Sequence, residues 1–270
     1  MNLTPIHDPA GGPLRAVALM SGSGTNIRRI LEHGERLRRD EGRPLFEVAA
    51  IFSDRADSQA PAIGRDFDLP VLVHDLPGWL ARHRVERRDL RRREQFDAEN
   101  VKLLAPFGAK VAIYGGYMSI ASPCLIGAYI GVNVHPADLR VELPDGRRRF
   151  TGAHAVRDAI AANQPYIYSS THLVTPEVDM GPLLLISAPV AVKLPDGVNL
   201  ADPEALQAAA EQNQERLKEA GDWVVFPRTL EAIARGWLAR DEAGALYYRG
   251  APIPQGIAGG TESELTGRSG

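Results

Sequence analysis

Ala16-Val17-Ala18-Leu19-Met20-Ser21-Gly22-Ser23-Gly24-Thr25-Asn26 is the stretch that decides the fold. Five apolar residues in a row suit a strand buried on both faces, as in a parallel sheet. Small residues then make a tight turn, and a helix is expected over about 26–40. Working outward, strands are expected near 46–52, 70–74, 110–114 and 130–135, with an Arg-rich segment and then a helix near 94–106 before the last two. Strands alternating with helices predict an α/β fold, a Rossmann-like mostly parallel sheet flanked by helices. Beyond His135 the texture changes. Pro144-Asp145-Gly146 reads as a hairpin turn, Gly152 opens a helix, and 165–175 and 183–192 read as strands. This C-terminal half is expected to be α+β and to continue the same sheet. A long helix over 202–220, a helix after Pro227 and a hairpin around Ala243-Gly244 follow. The organisation expected is a flexible leader over 1–14, one domain over 15–236, a hairpin over 237–254 and a disordered Gly/Ser-rich tail over 255–270.

Composition narrows the function. The chain has 270 residues, 31 Lys and Arg against 34 Asp and Glu, and a net charge of −3, which disfavours a general nucleic-acid binder. One cysteine, Cys124, excludes an internal disulfide framework and a cysteine zinc cluster. No apolar run approaches the roughly 20 residues of a membrane helix, and none has signal-peptide character. A reducing cytoplasmic setting is expected, with no membrane partner.

Two short motifs carry chemistry. Ser21-Gly22-Ser23-Gly24-Thr25-Asn26 lets backbone N–H groups and a helix N-terminus approach an anion such as phosphate, although a plain turn capped by Ser or Thr reads equally well. A dinucleotide fingerprint would need glycine where Ile27 stands, and Gly-Lys-Ser/Thr of a Walker loop is missing. In Gly131-Val132-Asn133-Val134-His135-Pro136, alternation turns Asn133 and His135 to the same side, and Pro136 ends the strand. An amide can donate to a developing oxyanion and an imidazole can move a proton near neutral pH. A lone Asn-x-His is a weak signal, since a single His at a strand end is commonly structural. The arginines at 82, 84, 87, 88, 91, 92 and 93 are interleaved with Glu86, Asp89 and Glu94, as on a solvated helical face, and Cys124 lacks an activating neighbour.

Several such motifs recur in one order: the turn at 21–26; Arg93-Glu94-Gln95-Phe96-Asp97; Gly116-Tyr117-Met118-Ser119-Ile120; Asn133-Val134-His135-Pro136; Gly152-Ala153-His154; and Thr171-His172-Leu173-Val174 leading to Asp179-Met180-Gly181-Pro182. In this the chain resembles the folate-dependent formyltransferases over about residues 15–236, most closely those acting on phosphoribosylglycinamide (GAR). The resemblance implies the formyltransferase fold and direct formyl transfer from 10-formyltetrahydrofolate to the amine of GAR in purine biosynthesis, without metal. It implies Asn133, His135 and Asp179 as the catalytic trio, with Asn133 and protonated His135 facing the oxyanion and Asp179 orienting His135 and relaying protons. It implies that Gly24, Thr25, Asn26 and Arg93 hold the substrate phosphate, and that folate lies along Met118, Ser119, Ile120 and Ala121. His154, His172 and Asp222 are expected as secondary residues lining the site.

The chain departs from the resemblance in three places. The segment between His135 and Gly152 is longer than the usual short Pro-rich loop, Asp222-Trp223 stands where Glu-His is usual, and Ser119 stands where Arg is frequent. Alternatives are therefore transfer to a different amine, or hydrolysis of formyltetrahydrofolate. A methionyl-tRNA formyltransferase is disfavoured by the short segment after the last core helix, and an NAD-dependent enzyme by Ile27. The expected partners are small molecules, folate and a phosphorylated amine, with no nucleic acid, in a monomer or homodimer.

Overall fold

A computed structural model describes residues 2–258. After a short strand β1 (Thr4–Pro5), the chain enters β2 (Leu14–Met20), α1 (Thr25–Glu41), β3 (Phe46–Ser53), α2 (Ala60–Asp66), β4 (Val71–Val73), α3 (Leu76–His83), α4 (Leu90–Leu104), β5 (Val111–Tyr114), α5 (Pro123–Ala128) and β6 (Ile130–His135). Then come α6 (Ala155–Ala161), β7 (Tyr166–Ile167), β8 (Ser170–Leu173), β9 (Leu183–Ile186), β10 (Val190–Ala191), α7 (Pro203–Leu217) and α8 (Trp223–Ala234). The last strands are β11 (Leu238–Arg240), β12 (Leu246–Tyr248), β13 (Ala251–Pro252) and β14 (Ile257–Ala258).

Eight strands form the central sheet in the order β14-β9-β8-β6-β5-β2-β3-β4. From β4 through β6 neighbours run parallel, whereas β8 is antiparallel to both β6 and β9. The α+β half does continue the same sheet. Strand β2 explains why the sheet needs helices on both sides. Ala16, Ala18 and Met20 share one core with Ile27 and Ile30 of α1 and Phe226 and Leu230 of α8. Val17 and Leu19 turn the other way, into a second core with Trp79 of α3 and Phe96 of α4. Each fully buried Val, Leu, Ile, Met or Phe among these stabilises the fold by about 1.5–3 kcal/mol. A third core, with Leu139, Phe150, Ile160 and Leu217, underlies the second half.

Several expectations change. The leader is packed rather than loose, because Thr4–Pro5 pairs with β11 and His7 is buried. The expected strands 165–175 and 183–192 are each divided, into β7 with β8 and β9 with β10, and β7 pairs with β10 in a separate ribbon. Within the expected tail, Ile257–Ala258 pairs in parallel with β9, and 259–270 lie outside the described residues. Helix α7 runs on into a single π turn, Lys218–Asp222, before α8. Among the described residues no helix is long and apolar enough to cross a membrane.

Candidate active site

The strand order reverses between β2 and β5, and open α/β sheets bind ligands at such a switch point, outside the carboxyl ends of the strands. A cleft of about 660 Å³ lies there, bordered by Ser21–Asn26 after β2, Tyr114–Ala121 after β5, and Asn133 and His135 on β6. Two backbone bonds hold the β2 and β5 ends of the cleft together: Gly115 N–H donates to Leu19 O at 2.9 Å and Ser21 N–H to Gly116 O at 3.0 Å.

One end of the cleft is the turn into α1. Gly24, at φ 66°, adopts the left-handed conformation that favours glycine, and no side chain caps the first N–H groups of the helix. Those donors and the positive end of the helix dipole suit an anion. Gly24, Thr25 and Asn26 all border the cleft. Arg93 does not join them. It is buried on α4 and its Nη2 donates to the Ile120 carbonyl at 3.0 Å, so it buttresses the opposite wall.

That wall is Met118 to Ala121. Met118 N–H donates to Ser21 Oγ at 2.9 Å, Ser119 Oγ donates to Asp54 Oδ2 at 2.5 Å, and Ser122 N–H donates to Asp97 Oδ2 at 2.7 Å. With its backbone pinned, the segment leaves Met118 and Ile120 exposed, opposite Val178, as an apolar mouth. A flat heteroaromatic group fits such a surface.

The floor holds the polar cluster. Asn133 lies directly opposite His172 in the antiparallel ladder of β6 and β8, which puts both on the face that also carries His135. His172 Nδ1 lies 2.9 Å from Leu173 O, and a carbonyl can only accept, so Nδ1 carries the proton. The bare His172 Nε2 then accepts from Asn133 Nδ2 at 3.1 Å, which leaves the second amide proton of Asn133 for a ligand. The same reasoning fixes His135: Nε2 donates to Phe150 O at 3.0 Å, and in the neutral ring Nδ1 is bare, 3.4 Å from Asp179 Oδ2.

Asp179 arrives from outside the sheet. The loop between β8 and β9 leaves with Val174 N–H donating to Gly131 O at 2.8 Å and returns with Leu173 N–H donating to Pro182 O at 3.0 Å. The return requires glycine at 181, since a Cβ there would sit 1.7 Å from Leu173 O. Asp179 itself is held at φ 57°, at a cost of about 1–2 kcal/mol for a residue other than glycine. Its Oδ2 accepts from Gly152 N–H at 2.8 Å, and Oδ1 lies 3.6 Å from His172 Nε2.

Electrostatics separate the two members of this pair. Burial would raise the Asp179 carboxyl, but the charge that the His172 and His135 rings bear when protonated, together with the Gly152 N–H, prevails and holds it down to about 2. Burial pushes the His135 imidazole below its ordinary value, with His172 and Arg148 acting in the same sense, and Asp179 and Phe150 O only partly oppose this. The resting site thus favours an ionised Asp179 beside a neutral His135. The buried ring loses more hydration than one carboxylate returns.

At the phosphate-like end Asp222 is buried on the π turn, and Ser169 Oγ donates to its Oδ1 at 2.5 Å. Asn26 Nδ2 lies 3.4 Å from the other oxygen, a long contact. Burial raises the Asp222 carboxyl to about 6 despite these donors. His154 is exposed at the start of α6 and does not border the cleft, whereas His172 and Asp222 do. Gln214 and Lys218 also border it, unexpected from the sequence. Gln214 and Lys218 are i and i+4, which the helix expected over 202–220 would have set on one face.

The sequence profile described as "Formyl transferase" matches residues 14–216. Phosphoribosylglycinamide formyltransferase of Escherichia coli (strain K12) is 27% identical over 247 residues, covering 91% of this chain and 99% of that protein. The protein of the same name from Mycobacterium tuberculosis (strain ATCC 25618 / H37Rv) is 27% identical over 233 residues, covering 86% and 94%. Among solved structures, glycinamide ribonucleotide transformylase 1 from Symbiobacterium toebii superposes with a TM-score of 0.62 at 26% identity, covering 88% of this chain and 95% of that one. The chain belongs to the formyl transferase family and is a formyltransferase.

Proposed function

We propose that the chain transfers the formyl group of 10-formyltetrahydrofolate to the amine of phosphoribosylglycinamide, a step of purine biosynthesis. The observation that carries this reading is one cleft with an anion-suited helix turn at one end, an apolar wall at Met118–Ala121 at the other, and Asn133, His135 and Asp179 between them. Relatives named for that reaction support it. The amine attacks the formyl carbon, and the free N–H of Asn133 donates to the oxygen on which charge builds. The amine proton passes to Nδ1 of His135. The imidazolium so formed is stabilised by Asp179 and neighbours the developing oxyanion. The proton then moves to the folate nitrogen as the carbon–nitrogen bond to folate breaks. Thr25 and Asn26 N–H groups hold the phosphate of the acceptor, and Met118 to Ala121 flank the folate ring. His172 orients Asn133.

A second reading has its own support. The Asp222 carboxylate is one methylene shorter than the usual glutamate and is turned onto Ser169 at 2.5 Å, which leaves it less free to reach a sugar hydroxyl. This favours a different phosphorylated amine as acceptor. The deciding assay is tetrahydrofolate release from 10-formyltetrahydrofolate by purified protein with GAR, without amine, and with Asp179→Asn. Release that needs both GAR and Asp179 supports the first reading. Amine-independent release with stoichiometric formate makes the protein a hydrolase, and release only with another phosphorylated amine selects the second reading.

A further inference from the structure

The segment that exceeds the usual short loop, 141–150, folds as a small hairpin. Leu143 N–H donates to Arg147 O at 2.8 Å, Gly146 N–H to Leu143 O at 2.9 Å and Arg149 N–H to Val141 O at 2.9 Å. Its three consecutive arginines alternate as strand residues do. Arg147 is exposed and pairs with Asp145 at 2.8 Å, and Arg149 is exposed with its guanidinium 5.3 Å from the Phe150 ring centroid. Arg148, between them, is half-buried and turns inward, where Nη1 donates to the backbone carbonyl of Asp179 at 2.5 Å.

We infer that Arg148 is a positioning residue, which holds Asp179 in its left-handed backbone conformation facing His135. The inference rests on the catalytic reading of Asp179 given above. Two bonds tie Asp179 to the segment following His135, Gly152 N–H on its side chain and Arg148 on its main chain. Glu142 bridges back to Arg148 across the hairpin and also faces it electrostatically. The groups facing His135 are Asp179, His172, Arg148 and Phe150 O, and the charge of Arg148 opposes a proton on the ring. The inserted hairpin therefore acts on both members of the pair, the backbone of one and the charge of the other.

The test uses the full chain with Arg148→Met, Arg148→Lys and Asp179→Asn. In Arg148→Met, kcat is expected to fall at least about tenfold with KM little changed, since misorientation is felt in the chemical step. The His135 ring, followed by proton–nitrogen NMR without substrate, is expected to titrate at higher pH, because an opposing cation is gone. Arg148→Lys keeps the charge and a donor, and is expected to restore the wild-type titration and part of the turnover. Wild-type kcat in Arg148→Met overturns the inference, as does an equal loss in both variants with the His135 titration unmoved. If Asp179→Asn turns over like wild type, the catalytic reading of Asp179 falls instead, and the His135 titration alone decides on Arg148.

Discussion

The carbonyl oxygen of Phe150 lies 3.0 Å from Nε2 of His135 and so determines which nitrogen of that ring is free to take a proton. Phe150 closes the inserted hairpin, which makes the second half of the chain responsible for the protonation state of a residue on the first. The neutral ring is expected to be the Nε2–H tautomer, with nitrogen shifts that report a bare Nδ1. Because burial sets the ring below its ordinary value of about 6.5, the acid limb of kcat/KM is expected below that pH. A limb above 7, or the opposite tautomer, would sink the base assigned to Nδ1.

Asn133→Ala is expected to lower kcat by about 10²–10³, the range for losing one donor to an oxyanion, with the fold intact. Single-turnover formyl transfer measures it. A loss confined to KM would show that Asn133 holds the ground state rather than the developing charge.

Asp222 should make stability fall as pH rises. Its folded value, about 6, lies above the ordinary carboxyl value of 3.8. Its contribution is therefore complete below 3.8 and lost as pH passes through about 6, and holding it ionised at pH 7–8 costs on the order of 3 kcal/mol. Asparagine keeps an acceptor for Ser169 Oγ and carries no charge to bury. Asp222→Asn is expected to gain stability in urea at pH 8 and little or none at pH 4. Equal effects at both pH values would show that the charge is not the cause.

Gly181→Ala sets a methyl group where Leu173 O stands, 1.7 Å away, and backbone cannot yield as a flexible side chain can. The loop that returns to β9 must shift and take Asp179 with it. A loss of about 2–4 kcal/mol is expected by denaturant unfolding, together with loss of formyl transfer even where the variant is folded. Wild-type turnover in a folded Gly181→Ala protein would show that Asp179 tolerates displacement.

What could be read in advance follows from the range of the forces involved. Alternation on one strand is local, so Asn133 and His135 are legible as a pair, and the run Ala16 to Met20 is legible as a two-sided strand. The Gly24 turn and α1 follow from short-range signals as well. Helices α2, α3 and α5 escape notice because each is short, 6–8 residues, too few for a period to emerge. Arg93 sits in a motif, but its hydrogen bond to Ile120 spans 27 residues and no local signal tells which wall it serves. Ser169 and Asp222 meet across 53 residues by the same long-range folding. The downward shift of His135 is not legible in the sequence, because desolvation depends on everything packed around the ring, whereas its carboxylate partner is visible as one residue.

Strand β14 has a consequence for how the folded molecule behaves in company. It covers β9, whose Leu183-Leu184-Leu185-Ile186 is wholly apolar and buried. The far border of the sheet is the three-residue β4, preceded by Pro70, which offers little ladder to a stranger. Cutting the chain before Ile257 would uncover Leu185 and Ile186, the end of that aliphatic run, along one edge, the kind of template on which copies stack into aggregates. Two residues near the end of the described chain thus act as a selvedge that keeps the weave of one molecule from being taken up by the next.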